Sequence, residues 1–531
     1  MISPLDVSIL DGNSEELGIA TNILMTNAGK ALAESITERF EKAPVLMFIG
    51  SGNNGGDGLV ASRFLSKNGN RISVVLMKDP SRSGSSLSRK AFEDLPEEVE
   101  IRSFDEVESG NRWDEVLRGS EVVVDGLLGS GARGEPRGKF RKAVKLINSA
   151  RNIVAIDIPT GCGTDLSVKA DMTVTFHDMK SNMVSEAGSP LEECGEVLVK
   201  RIGIPDRAAR FVGKGDLLRI PGKGKNAHKG EGGKMLVIGG GPFTGAPVLA
   251  ALAGLKTGCD LVRVAVPKGI WEVTASSSPC LIAERLDTED PFKLGPEIVE
   301  DLKSGIDWAD SVLIGPGSGR DKGTLQALRE LVDISIRKGR MTCIDADGIT
   351  AVSRKLDEWP RSEDENVLLT PHRGELAGLL EGADIGFDED RMKDPYILEG
   401  EIDVWSPENL DPAIRFTKMT GTALLVKGRI DMMMTPHPHS LNGHILHHPV
   451  HVRYNTTGVP EMSVGGTGDV LAGLCTGFMA RGLKPFDSAC VSSYLNGRSG
   501  ERARGLNGIS MSACDLLEVI PYVLSSGSGG S

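Results

Sequence analysis

Residues 43–65 read APVLMFIGSGNNGGDGLVASRFL. Val45 to Ile49 form an unbroken apolar run closed by Pro44 on one side and Gly50 on the other, the pattern of a parallel strand buried on both faces. A glycine-rich turn follows and opens a helix, whose free N–H groups can cradle an anion. Asn53, Asn54 and Asp57 add more polar groups than a turn needs, so the stretch predicts a ligand-binding loop. The same order of strand, turn and helix recurs outward along the chain: RISVVLM at 71–77, EVVVDGLLG at 121–129, NIVAIDIPTG at 152–161, KMLVIGGG at 234–241, SVLIGPGSG at 311–319, MTCIDADG at 341–348 and ENVLLTPHRGE at 365–375. The chain therefore reads as α/β throughout.

At 531 residues it is too long for one ordinary domain. GKGDLLRIPGKGKNAHKGEGG at 213–233 separates two complete series of strands, which places a boundary at Gly213 and predicts domains over 1–212 and 213–525, with a flexible tail at 526–531. His228 and Lys229 lead from this stretch into the next strand. The acidic segment 383–412, with three prolines, is expected to be a solvated loop with short helices. Its 66 glycines point to tight turns and close backbone approach to ligands. The formal charge of −13 disfavours nucleic acid and anionic membrane as partners. Eight cysteines without a C-x-x-C pair suggest neither a zinc site nor a disulfide framework. With no apolar run of membrane-spanning length, a soluble cytoplasmic protein is expected, and a homo-oligomer is the expected assembly.

In the first half, an opening helix over TNILMTNAGKALAESITERF is expected to pack through Ile23, Leu24, Ala28, Leu32 and Ile36. Two further loops leave strand ends: VVVDGLLGSGARGEPRG at 122–138, with Asp125, and VAIDIPTGCGTD at 154–165, with Asp157 and Thr160. Ligands of open α/β sheets sit at the carboxyl ends of strands, so these loops should meet the asparagine loop in one crevice. GNNGGDG at 52–58, DGLLGSG at 125–131 and DIPTG at 157–161 resemble the three ordered motifs of the NAD(P)H-hydrate epimerase family, with Thr160 where that family has Ser. The likeness spans residues 20–205. It implies a Rossmann-like three-layer domain that interconverts the R and S epimers of hydrated NADH or NADPH. Asn53, Asn54, Gly55, Gly56 and Asp57, with Gly129, Ser130, Gly131, Ala132, Arg133, Gly134 and Glu135, would then embrace the dinucleotide. Asp157 would stand beside the hydrated ring as the acid/base group, and Asn54, Asp125 and Thr160 would ligate potassium. Lys180 matches a family lysine and is left open as the partner of Asp157, a phosphate contact or a surface lysine. Ser181 and Asn182 replace the usual Pro-Gly pair that follows it.

In the second half, GGGPFTGAPVLAALAGLKTG at 239–258 and SVLIGPGSGR at 311–320 supply glycine turns wide enough to meet a ligand. MTCIDADGIT at 341–350 places Asp345 and Asp347 after a strand, Asp345 as either a structural carboxylate or a ligand contact. TPHRGE at 370–375 puts His372 at another strand end. NTTGVPEMSVGGTGDVLAGLCTGFMARG at 455–482 is the most specific stretch: Gly465, Gly466, Thr467 and Gly468 open a small-residue helix suited to holding phosphate, with Asp469 in its first turn. Together these resemble a ribokinase-like domain, and within that superfamily the ADP- or ATP-dependent NAD(P)H-hydrate dehydratase, over residues 226–520. The resemblance implies that Asp469 acts as general base toward the ring hydroxyl, which is phosphorylated and then lost as phosphate, a far better leaving group than hydroxide. It assigns Lys427, Gly428, Arg429, Ile430, Asp431 and Gly468 to the nucleotide, Ala246, Gly317, Gly319, His372 and Asp469 to the hydrated cofactor, and Mg2+ to accompany ADP or ATP. Asp431 stands where the family commonly has Thr. The expected function is a bifunctional repair of hydrated NADH and NADPH. The rival is a ribokinase-fold vitamin kinase fused to a non-catalytic nucleotide-binding domain.

Overall fold

A computed structural model describes residues 1–527 except 225–227, 229, 355, 357–358, 360–364, 400–401 and 438–449. Lys229 and the tail residues 528–531 lie outside the described residues, and residues 526–527 end the last helix, Ala513–Gly527. The chain divides into two compact units, Met1–Ala208 and Ala209–Ser531.

The first unit holds seven strands: β1 Val45–Ile49, β2 Ile72–Leu76, β3 Glu100–Ser103, β4 Val122–Gly126, β5 Ile153–Ile156, β6 Met172–Phe176 and β7 Glu196–Lys200. All pair in parallel in the order β3-β2-β1-β4-β5-β6-β7. Alternate residues of β1 explain its continuous apolar run. Val45, Met47 and Ile49 enter one core with Leu24, Ala28, Leu32 and Ile36, whereas Leu46 and Phe48 enter the opposite core with Phe104, Val123 and Ile147. This is the expected three-layer sandwich. The helix Thr21–Phe40 packs through the predicted residues except Ile23, which is exposed. Ahead of it runs a helix that the sequence reading did not anticipate, Pro4–Glu16, capped by the Ser3 side chain on Asp6 N–H.

The second unit repeats the plan with β8 Lys234–Ile238, β9 Leu261–Pro267, β10 Ile282–Leu286, β11 Ser311–Ile314, β12 Met341–Ile344, β13 Val367–Leu369, a hairpin of β14 Tyr396–Glu399 and β15 Ile402–Trp405, then β16 Ala423–Val426, β17 Asp431–Thr435 and β18 His451–Asn455. The sheet order is β10-β9-β8-β11-β12-β13-β16-β17-β18, parallel up to β16 and antiparallel beyond it. Leu236 and Ile238 face one core, Met235 and Val237 the other. The small-residue helices Gly245–Lys256 and Thr467–Ala480 cross closely on the second of these cores. A Cβ on Gly473 would lie 2.1 Å from the Ala250 carbonyl oxygen, so only glycine permits the approach. The segment 383–412 is not the solvated loop expected from its charge. Met392, Val404 and Trp405 are buried, Tyr396 and Trp405 meet edge to face at 6.3 Å, and Ser406 and Pro407 start the helix Pro407–Thr420, which buries Ala413 and Phe416. Among the described residues its acidic side chains, Asp388, Glu389, Asp390, Asp394, Glu408 and Asp411 among them, are exposed, while Met392, Val404 and Trp405 pack inward.

One buried ion pair fastens the start of the second unit to its last strand. Arg453, on β18, is fully buried and donates to the Asp216 carboxylate, to Phe211 O at 2.8 Å and to Ala209 O at 2.9 Å. Removing the carboxylate leaves a buried guanidinium uncompensated. Asp216→Ala is therefore expected to destabilise the second unit by about 3–5 kcal/mol, read as a lowered urea midpoint for the full chain. A loss under about 1 kcal/mol, the range of exposed pairs, would show that the pair is not the fastening.

Candidate active sites

In the first sheet the connections diverge between β1 and β4, so the loops after those strands flank an open crevice. Gly50 is forced there by proximity: a Cβ on it would sit 1.9 Å from Leu127 O. The helix Asn53–Lys67 begins directly beyond, at the Asn53–Asn54 pair. A cleft of about 510 Å³ is lined by Asn53, Asn54, Asp57, Gly129 to Ala132, Asp157, His177 and Lys180. The strand-end loops thus converge as the sequence implied. Arg133, Gly134 and Glu135 are exposed and outside that lining, with Glu135 paired to Arg141 at 2.9 Å. Gly55 and Gly56 are packing positions, where a Cβ would meet Gly50 O at 2.0 Å or the Met25 side chain at 2.6 Å.

Asp157 follows β5 in the left-handed region, φ 62°, a strained conformation for a residue with a Cβ and one that clusters at functional sites. Its carboxylate meets Lys180 Nζ at 2.5 Å. Lys180 is fully buried and also donates to Thr175 Oγ1 at 3.0 Å and Phe176 O at 2.7 Å. Of the three roles left open for it, the surface lysine is excluded, and the geometry is that of a partner to Asp157. Asp57 is partly buried in the cleft wall. Burial, then the Asp157 and Asp11 charges, push its carboxyl well above the usual range.

Behind the cleft, Asp125 and Thr160 are buried together. Thr160 donates to Asp125 through its N–H at 2.7 Å and its hydroxyl at 2.8 Å, yet burial still raises the Asp125 carboxyl to about 6. The Asn54 amide is buried nearby, against Gly129, with neither its oxygen nor its nitrogen hydrogen-bonded among the described residues. A buried carboxylate with no cation against it among the described residues and an orphaned amide are the donor chemistry of a hard cation.

In the second sheet the divergence lies between β8 and β11, and the two glycine turns meet there. Gly240 N–H donates to Pro316 O at 2.8 Å, and a Cβ on Gly317 would lie 2.6 Å from Phe243 O and 3.0 Å from the Ala246 Cβ. Gly319 N–H is held by Asp347 at 2.7 Å. Three strands beyond β11, Lys427, just past β16, meets the buried Asp345 carboxylate at 2.6 Å, which Thr370 also contacts at 2.7 Å. Burial works to lower the Lys427 ammonium, but Asp345 and Glu375 outweigh it and hold it above its ordinary value.

The helix Thr467–Ala480 starts beside this pair. Gly466 has φ 96°, and Gly468 is placed so that its Cβ would be 3.6 Å from Lys427 Nζ. Asp469 is raised to about 7, by burial first and then by Asp345, with Lys427 opposing. A carboxyl poised near neutrality next to a lysine and a run of helix-start amides suits proton transfer during phosphoryl transfer. His372 is brought to Lys427 by a backbone bridge and caps its own helix, accepting from Glu375 N–H at 3.1 Å through Nδ1. Asp431 lies below the Lys427–Gly428 turn, where Gly428 N–H, Ser493 and Asn455 engage its carboxylate. Arg429 stacks over Tyr396 at 4.7 Å, and the Ile430 side chain is core. That turn thus offers a ligand its backbone and the Lys427 head more than these three side chains.

The sequence reading missed Asp11 and His177. Asp11 lines the first cleft from the helix Pro4–Glu16, and burial followed by the Asp157 charge raises its carboxyl to about 6. Asp-Gly-Asn at 11–13 carries the composition of a turn, so nothing local marked it.

Two family models match the chain: YjeF-related protein N-terminus over residues 21–182 and NAD(P)H-hydrate dehydratase over 235–522. The bifunctional NAD(P)H-hydrate repair enzyme of Methanothermobacter thermautotrophicus is 36% identical, the alignment covering 99% of this chain and 96% of that one. The enzyme of the same name from Hyperthermus butylicus is 34% identical over 99% of this chain and 92% of its own. Among solved structures, the ADP/ATP-dependent NAD(P)H-hydrate dehydratase from Bacillus subtilis, co-crystallised with ATP/Mg2+, aligns at 19% identity and a TM-score of 0.45, covering 59% of this chain and 97% of that one. The full-length identity and the two domain matches, falling on the two units that carry these sites, place the chain in the family of bifunctional NAD(P)H-hydrate repair enzymes.

Proposed function

We propose that the protein restores hydrated NADH and NADPH, the first unit interconverting the R and S hydrates and the second dehydrating the S form at the expense of ADP or ATP. The observation that carries this reading is a pair of carboxylates, Asp157 at a strand end and Asp469 in the first turn of a helix, each beside a buried or half-buried lysine and a glycine-rich helix start. A dehydratase that takes one epimer leaves the other to accumulate, so the two activities belong on one chain.

In the first unit, the first-turn amides of Asn53 to Gly55 and the Gly129–Ala132 turn hold the pyrophosphate, and Asp157 exchanges a proton with the hydrated ring. Lys180 keeps that carboxylate oriented. Asn54, Asp125 and Thr160 would hold a potassium ion, which supplies positive charge close to the bound pyrophosphate. In the second unit, Asp469 takes the ring hydroxyl proton as the oxygen attacks the terminal phosphoryl group, and the Gly465–Gly468 amides with Lys427 neutralise the charge that develops there. Gly428 and its neighbours seat the nucleotide, which carries Mg2+ with it. Ala246, Gly317, Gly319 and His372 border the hydrated ring. ADP is the favoured co-substrate, in a cytoplasmic homo-oligomer.

Incubation with both hydrate epimers and ADP or ATP is expected to return NADH with one phosphate released per molecule. A product that keeps its phosphate would instead mark a kinase. Asp469→Asn should lower dehydration by about 100-fold or more and spare epimerisation, and Asp157→Asn should do the reverse. Because burial raises Asp469 to about 7 and its carboxylate is the active form, the dehydration rate should climb with pH through about 7 and level off above it. A rate flat from pH 5 to 9 would remove Asp469 as the base. Dialysis into potassium-free sodium buffer should slow epimerisation alone, and Asp125→Ala should abolish the potassium response.

A further inference from the structure

The helix Pro4–Glu16 presents Pro4, Val7, Ser8 and Asp11 to the first unit's cleft, a single face at helical spacing. Its opposite side is buried through Ile9, Leu10 and Asn13. Both ends are fixed. Ile2 exchanges backbone hydrogen bonds with Met179 and Ser181, both at 2.9 Å, the residues on either side of Lys180. Asn13 donates to Ala208 O at 3.0 Å. The Asp11 carboxyl is thus held against the segment that carries the Asp157–Lys180 pair, and it makes no hydrogen bond with a described residue that would occupy it. Three carboxyls, Asp11, Asp57 and Asp157, face one cation, Lys180, and Lys180 contacts Asp157 directly. The surplus of negative charge and the enclosure favour a proton on the carboxyls that lack the lysine.

We propose that Asp11 is the proton donor to the hydrated nicotinamide ring, forming with Asp157 the pair of carboxyl groups between which epimerisation passes its proton. The inference rests on the epimerase reading of the first unit. The reacting carbon carries a hydroxyl and is bonded to the ring nitrogen. As the nitrogen lone pair forms the C=N bond, the C–O bond breaks, and the departing hydroxide takes the Asp11 proton and leaves as water. Water then adds to the other face of that carbon, the C=N π pair returns to nitrogen, and Asp157 takes the proton released from the adding water. One proton has moved from Asp11 to Asp157, and exchange with solvent resets the pair. No oxidant or reductant is required. The base role falls to Asp157 because the Lys180 ammonium is seated on its carboxylate at 2.5 Å, and the acid role to Asp11 because it has no such ion pair.

The test uses the full-length chain and separates the R and S hydrates chromatographically. Asp11→Asn should lower the epimerisation kcat by about 100-fold or more with KM changed less than threefold, and leave dehydration of the S hydrate and the melting temperature unchanged. Asp11→Glu should recover at least tenfold of the loss. In the unmodified protein, with Asp57, Asp157, His177 and Lys180 all facing the cleft, kcat should fall as pH rises past about 6, the range to which burial lifts Asp11. Asp11→Asn should erase that limb. A kcat within threefold of the unmodified protein, or a loss that keeps the alkaline limb, would overturn the assignment. An unmodified protein that leaves the R hydrate untouched would overturn the epimerase reading itself.

Discussion

Both units depend on backbones brought closer than any side chain allows at the point where a parallel sheet reverses its winding. Gly50 against Leu127 O and Gly239 against Pro316 O, where a Cβ would come within 1.9 and 2.4 Å respectively, let adjacent strand-end loops lie side by side. With a Cβ at either position the loops would part, and the helix starts beyond them would no longer share a crevice. The remaining site groups are placed by strand register. Asp125 pairs across the sheet with Phe48 and with Ala155, so its carboxyl arrives under Thr160 because β4 lies between β1 and β5.

The electrostatics of the two sites follow one rule with two outcomes. Each sets a cation, the buried Lys180 or the half-buried Lys427, among more carboxyls than it can neutralise. In the first, the lysine pairs with the strand-end Asp157. In the second, Lys427 pairs with Asp345, and Asp469, the group left over, is lifted to about 7. Low dielectric makes each choice of partner decisive, since an enclosed carboxyl beside an already engaged lysine keeps its proton more readily than one in water. The structural pair Arg453–Asp216 shows the contrasting case, where every buried charge has its counterpart and no group is left near neutrality.

Short apolar runs, glycine turns and the spacing of GNNGGDG, DGLLGSG, DIPTG and GGTGD were legible because each is a local property of at most ten residues. The segment 383–412 was misread because its acidic composition masked Met392, Val404 and Trp405, whose burial depends on what lies across from them. Asp11 was missed for a related reason: its neighbours Gly12 and Asn13 have turn chemistry, yet the helix persists because Ile9 and Leu10 are wholly buried and Asn13 is anchored to Ala208. Tertiary burial outweighed local preference at both places.

The sequence by itself determined the two α/β units, the strands and the loops that carry chemistry, since a buried parallel strand followed by a glycine turn leaves the chain few other conformations. Only the tertiary structure decided which carboxyl each lysine takes. That choice turns on contacts of a few ångströms between groups 23 residues apart, for Asp157 and Lys180, or 82 apart, for Asp345 and Lys427. Coulomb energy at such range is fixed by distance and burial, and neither is written in the spacing of residues along the chain.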